Sequence, residues 1–272
     1  MLGYDTALAF KRAGHEVLAC GRQELDITSA EQCNNIVSEY RPDVIINCAA
    51  FTKVDECETK QDFAFAVNQT GAGNLAKAAE KIGTYLVHIS TDYVFDGSSK
   101  SPYKESDPVN PINIYGLSKL KGEEAVSESC SNFSILRTSW LFGLNGPNFI
   151  KTILNLAKEK NELQVVNDQQ GCPTFTQDLA EAVLVAAEKR IQGIFHCTNS
   201  ESCTWFDLAR KAVSLIGKDP EMVKPVPTSA FPRPAKRPAY SVLDNSLFYK
   251  TTGVKLRPWQ EATESYVSMI EK

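Results

Sequence analysis

The sequence predicts an α/β protein built on a doubly wound, Rossmann-like parallel sheet, and three observations predict it. Strand-like and helix-period segments alternate through the first half of the chain. The run Asp43-Val-Ile-Ile-Asn-Cys48 is short and almost continuously apolar, as a parallel strand covered on both faces must be. A second such run, Tyr85-Leu-Val-His-Ile89, leads straight into Ser90-Thr-Asp92, polar residues at the C-terminal end of a strand. Open α/β sheets hold their ligands at that end.

The elements follow in order. Tyr4 to Ala13 has helical period and stops at Gly14, a natural residue for a helix C-terminus. His15-Glu-Val-Leu-Ala-Cys20 reads as a strand, and Ser29 to Tyr40 as a helix with Ser29 as its N-cap. Gln61 to Lys81 reads as one long helix, Tyr85 to Ser90 and Phe133 to Arg137 as strands, and the stretch after Tyr115 as a helix. Beyond about residue 145 the pattern loosens. Asn148 to Lys160, Thr176 to Arg190 and Trp205 to Ile216 read as helices, with short strands at Gln164 to Val166 and Gly193 to Cys197. The Pro-rich stretch from Pro220 to Pro238 reads as an extended surface loop. Residues 1–146 therefore form the sheet-building, dinucleotide-binding part. Residues 147–272 are mainly a smaller C-terminal lobe for substrate, with a natural pocket in the cleft between the two.

Composition narrows the function classes. The 272 residues are 43% hydrophobic and 23% charged, ordinary for a globular chain. A net charge of −4 gives no reason to expect nucleic acid or an anionic membrane as partner. No apolar run approaches the ~20 residues of a membrane helix, and no secretory signal is visible. The eight cysteines form no C-x-x-C pair, which reads as reduced, structural thiols and a cytoplasmic protein. The three histidines are scattered, so no metal site is expected.

The chemistry centres on Tyr115 and Lys119. Residues i and i+4 share a helix face, so the ammonium is expected near the phenol, lowering a pKa that is normally about 10. A phenol tuned in this way protonates a ketone oxygen while a nicotinamide supplies hydride, and the Thr91 hydroxyl upstream orients the ketone. The spacing alone is not diagnostic in a chain with nine tyrosines; the Ser90-Thr-Asp92 turn gives it weight. Arg22 follows the predicted strand at His15–Cys20, where a cation meets the 2′-phosphate of NADP; an exposed surface arginine is the alternative.

A dinucleotide-binding sheet opens with a strand and a glycine-rich turn, whereas this sequence starts Met1-Leu-Gly-Tyr-Asp5. Gly3 reads either as the last glycine of such a turn or as incidental. In the order 3-2-1-4-5-6 the first strand is central, and its loss leaves two strand edges unpaired. The expectation is lower stability and weaker cofactor binding than in a form extended upstream. Gly71-Ala-Gly73-Asn-Leu-Ala76 matches G-x-G-x-x-A, but inside a helical pattern, and is expected not to touch pyrophosphate.

Six segments in order carry a resemblance: Asn47 to Asp55, Ala66 to Asn68, Ser90 to Gly97, Pro111 to Lys119, Leu136 to Gly143 and Asp168 to Thr174. Together they resemble the dTDP-4-dehydrorhamnose reductases, extended short-chain dehydrogenases that end dTDP-L-rhamnose synthesis, over nearly the whole chain. The departure is the start, where only Leu2-Gly3 represents the family's first strand and G-x-x-G-x-x-G turn. The resemblance implies hydride transfer from NADPH or NADH to C4 of dTDP-4-dehydro-L-rhamnose. It implies Tyr115 as proton donor, Lys119 bonded to the nicotinamide ribose, Thr91 on the keto oxygen, and Asp92 and Trp140 beside the sugar. Ala49, Ala50 and Thr52 are implied beneath the adenosine and phosphates, with Asp26 and Ile27 flanking the adenine. Trp140 as simple core and Asp26 as a turn cap remain alternatives.

The family often dimerises, and some members hold magnesium between subunits, but no residue here maps onto that site. Besides a fragment with no activity of its own, for which only the N-terminus speaks, two other readings stay open. A nucleotide-sugar dehydratase or epimerase shares the Tyr and Lys, but related dehydratases carry an acidic residue where Tyr93 stands. A regulatory subunit, like the family's relative that regulates methionine adenosyltransferase, needs no catalysis, yet here Thr91, Tyr115 and Lys119 are intact.

Overall fold

The structure, a computed structural model, describes residues 1–271. Helix α1 (Leu2–Arg12) buries Leu2, Asp5, Thr6 and Ala9. His15–Cys20 then forms no regular element, and so not the expected strand. A strand needs a ladder, and among the described residues no strand lies beside it. Helix α2 (Ala30–Tyr40) begins as expected at Ser29, whose side chain accepts the Gln32 N–H. Strand β1 (Val44–Asn47) leads to α3 (Val54–Thr59) and α4 (Gln61–Phe65). A π-helical turn, Ala66–Gly71, joins α4 to α5 (Ala72–Ile82), so the expected single helix carries a bulge, a feature common at functional sites.

Strand β2 (Tyr85–Thr91) is buried along its whole length, and α6 (Ile114–Ser129) and β3 (Phe133–Thr138) follow. The rest of the chain is β4 (Leu141–Phe142), α7 (Phe149–Glu159), β5 (Leu163–Val166), β6 (Gln170–Gly171), β7 (Thr174–Phe175), α8 (Thr176–Lys189), β8 (Gly193–His196), β9 (Cys203–Thr204), α9 (Trp205–Leu215), β10 (Val223–Val226), α10 (Ser246–Thr252) and α11 (Trp259–Ile270).

The main sheet has the order β1-β2-β3-β8, every pairing parallel. Its register sets Asn47 opposite His88 and Thr91 opposite Thr138. One face packs Val87, Leu136 and Phe195 on Leu179 and Val183 of α8, with Leu2 and Ala9 of α1. The other packs Leu86 and Ile135 against Ala76 and Ala79 of α5 and Val126 of α6. The later chain builds its own core around Phe142, Phe175, Leu208, Trp259 and Tyr266, yet it returns β8 to the main sheet. The Pro-rich stretch is not all loop. Its residues Val223–Val226 pair with β5, a two-stranded ladder whose open edge tolerates Pro225 and its missing N–H. No helix among the described residues is long and apolar enough to cross a membrane.

Candidate active site

Helix α6 brings Tyr115 and Lys119 to the C-terminal end of β2. Its N-cap is Asn113, whose side chain accepts the Gly116 N–H at 2.8 Å and donates to the Lys236 carbonyl at 2.8 Å. Two glycines let the helix sit this close. A Cβ on Gly116 would fall 2.1 Å from the Tyr93 carbonyl oxygen, and one on Gly122 2.2 Å from that of Asn68. Thr91 ends β2, and its hydroxyl accepts the Tyr93 N–H at 3.2 Å.

The expected coupling of Lys119 to Tyr115 takes another form. Burial pushes the Tyr115 phenol above its ordinary range; the Thr91 hydroxyl draws it partly back, and the Asp92 charge adds to the rise. The Lys119 ammonium turns elsewhere, to the Ile89 carbonyl at 2.6 Å and to His88 Nε2 at 3.3 Å. Burial drives Lys119 down to about 8, opposed by the Glu123 charge. The expected lowering of the Tyr115 phenol by the Lys119 charge is therefore absent: the phenol is raised, and Lys119 is not among the causes of its shift.

Asp92 is buried, and its Oδ2 has no hydrogen-bond partner, while Oδ1 accepts from Thr91 at 3.1 Å. Burial raises this carboxyl to about 7, so it holds its proton far more readily than a surface aspartate does. An orphaned oxygen of this kind fits a ligand hydroxyl. Trp140 stacks on Trp205 with ring centroids 3.5 Å apart and an interplanar angle of 6°. Its φ of 49° is unusual for a bulky residue, and Gly171 leaves room for its ring, since a Cβ there would lie 2.5 Å away.

The residues expected at a cofactor lie apart from this cluster, around a cavity of about 1380 Å³. It is lined by Gly3, Arg22, Asp26, Ile27, Ala49 and Ala50, and runs along β1 and residues 15–20. Thr52 is exposed beside it, outside the lining. Arg22 is exposed, with its guanidinium 5.2 Å from the Phe63 ring. Asp26 caps a turn: its carboxylate accepts both the N–H and the hydroxyl of Thr28, bonds that hold its pKa low. Ile27 is buried and packs against Gly71 and Cys33. Gly71 and Gly73 are buried inside the helical run, outside the cavity lining. Most of the expected cofactor residues thus share one cavity, with exposed helix N-terminal backbone at Gly3 and a cation at Arg22, but much of its wall is larger apolar side chains such as Leu8, Phe10, Val17, Leu18, Val44 and Ile46.

Sequence reasoning assigned no role to three residues that hold this site together. Asn47 and His88 bond across the sheet at 3.0 Å, Nδ2 to Nδ1. Asn68 reaches from the π-turn to Phe51 and Ser118. Their partners lie far away in sequence; the only available signal was polar side chains inside otherwise apolar runs. No cluster of three or more metal-ligating side chains occurs among the described residues.

Residues 1–271 match the family described as the RmlD substrate binding domain. The chain is 42% identical to a dTDP-4-dehydrorhamnose reductase of Streptomyces griseus, over 99% of this chain and 91% of that one. Among solved structures it resembles a dTDP-4-dehydrorhamnose reductase of Clostridium acetobutylicum, with a TM-score of 0.96, 44% identity and coverage of 100% and 96%. It also resembles the Bacillus anthracis enzyme of that name in complex with NADP, with a TM-score of 0.95, 38% identity and coverage of 100% and 95%.

Proposed function

The chain belongs to the RmlD substrate-binding family of dTDP-4-dehydrorhamnose reductases, and on that premise we propose that it reduces the 4-keto group of dTDP-4-dehydro-L-rhamnose. The observation that carries the reading is the cluster at the end of β2, where a half-buried phenol, a hydroxyl and a carboxyl oxygen without a hydrogen bond converge beside a buried amine.

Tyr115 gives its proton to the ketone oxygen as that oxygen gains charge, and the Thr91 hydroxyl holds the same oxygen in place. A phenol raised by burial keeps its proton until that moment. Asp92 presents Oδ2 to a sugar hydroxyl, and the stacked Trp140 offers an apolar wall to the ring. Lys119 stands behind Tyr115 and restores the site's charge balance after proton transfer. Gly3, Ala49 and Ala50 would hold the NADPH diphosphate and adenosine, with Thr52 at the edge, Asp26 and Ile27 at the adenine and Arg22 at the 2′-phosphate; NADPH, when bound, supplies the hydride. The sugar nucleotide rests mainly on residues after 146, and homodimers of this chain fit the reading.

Tyr93 favours reduction over dehydration. Its ring lies edge-on to Tyr115, with centroids 5.6 Å apart, and burial raises its phenol, so the side chain at this position is no carboxylate and a poor acid. The experiment is NADPH consumption with dTDP-4-dehydro-L-rhamnose, wild type beside Tyr115→Phe. Turnover in the wild type, cut about 10²–10⁴-fold in the variant with cofactor affinity little changed, is expected. A variant that retains full turnover means another proton donor. Release of water without net cofactor use means a dehydratase.

A further inference from the structure

Lys119 is held by a neighbour whose hydrogen bonding admits one of two proton arrangements. The Asn47 carbonyl oxygen accepts the Ala49 N–H at 3.1 Å, which leaves its amide nitrogen facing His88 Nδ1 at 3.0 Å. A neutral imidazole that accepts at Nδ1 carries its proton on Nε2. That Nε2 lies 3.3 Å from Lys119 Nζ. Opposite a neutral amine the Nε2–H donates and the contact is a hydrogen bond. Opposite an ammonium two donors meet in a buried site, which is costly.

A charged Lys119 therefore calls for the reversed arrangement. Nε2 accepts from the ammonium, Nδ1 carries the proton, and Asn47 must rotate its amide to offer the oxygen. We propose that His88 is a positioning residue whose tautomer follows the charge on Lys119, with the Asn47 amide turning over between the two forms. The rotated amide releases the Ala49 N–H, which belongs to the loop lining the cavity. A ligand acceptor that takes up this N–H favours the charged Lys119, so filling the loop arms the amine behind Tyr115.

The groups that face the pair are few. Glu123 faces it from α6, and Cys48 from the end of β1, its thiol pushed up to about 11 by burial. Burial and the Lys119 charge hold the His88 ring neutral, well below the ordinary histidine range. Tautomer exchange, not ring protonation, is thus the available response. The meaning for catalysis rests on the reductase reading; the exchange itself does not, and its test needs no substrate or cofactor.

The test is a long-range proton–nitrogen correlation on protein labelled with nitrogen-15 histidine, followed from about pH 6 to about pH 10. Of the three histidines, His15 and His196 are identified by their Gln variants. His88 is expected as the Nδ1–H form at the low end and the Nε2–H form at the high end, exchanging near pH 8 with Lys119. Lys119→Met should abolish the exchange. Asn47→Asp, able only to accept when ionised, should lock the Nδ1–H form and carries the test if the first variant does not fold. One tautomer throughout, an imidazolium in this range, or an exchange that survives both substitutions overturns the proposal.

Discussion

At the scale of single residues, Asn68 shows how one side chain fixes a loop that pattern cannot place. It is 1% exposed; its Oδ1 accepts the Phe51 N–H at 2.8 Å, and its Nδ2 donates to the Phe51 carbonyl at 3.1 Å and to Ser118 Oγ at 2.9 Å. One amide thus clips the loop after β1 to the helix bearing Tyr115. Asn68→Ala leaves buried backbone groups without partners and should cost about 1–3 kcal/mol, read as a lower urea midpoint at unchanged slope. It should also weaken cofactor binding more than it raises the KM for sugar, because the freed loop lines the cavity. An unchanged midpoint would mean that water replaces the amide at no cost. Tyr115 and Lys119 were legible in the sequence because their relation is local, four residues along a helix. Asn68 had no readable role, since its partners lie 17 and 50 residues away.

At the scale of elements, β2, β3 and α6 are locked by a buried ion pair just behind the site. Glu123 accepts from Arg137 Nε at 2.9 Å and Nη2 at 2.7 Å, and from Ser90 Oγ at 2.5 Å, with both charged side chains 3% exposed. Arg137 also stacks 5.2 Å from the centre of the Phe95 ring. Such a pair adds little net stability over an apolar substitute, but breaking it strands a charge. Glu123→Gln should therefore lose about 3–5 kcal/mol by chemical denaturation, whereas a double replacement by apolar residues of similar volume should recover most of the loss. A single variant as stable as the wild type would show that Arg137 finds another partner. The strands that carry this lock were legible as apolar runs because burial on both faces writes itself into composition. The failure at His15–Cys20 has the opposite cause. Its apolar run Val17–Cys20 suits a strand, but a strand is a property of a pair, and Leu18 lies 49% exposed beside the cavity instead. The π-turn was illegible too, because side-chain bonding and close packing at Asn68 select it, not helix period.

At the scale of the whole molecule, buried titratable groups make stability depend on pH with opposing signs. Burial, with Arg137 adding to it, lowers His196 to about 3, and His88 also lies well below the ordinary value. Unfolded histidines titrate near 6.5, so between about pH 3 and 6.5 the unfolded chain binds protons that the native state refuses. Stability from these two groups is present above that window and is lost as pH falls through it. Asp92 acts oppositely. Its pKa is raised to about 7, so between about pH 4 and 7 the native state holds a proton that the unfolded chain releases, and its contribution declines as pH rises. Two histidines against one carboxyl leave a net gain near pH 5, on the order of one proton or ~1.4 kcal/mol per pH unit, that vanishes towards neutrality. The melting temperature should accordingly climb from pH 5 to about 6.5 and then level. Asp92→Asn removes the opposing proton and should steepen the climb, while His196→Gln removes one of the two protons and should flatten it. A profile insensitive to both substitutions would mean that these groups meet water in the native state as they do in the unfolded chain, and the closed character assigned to the site would go with it.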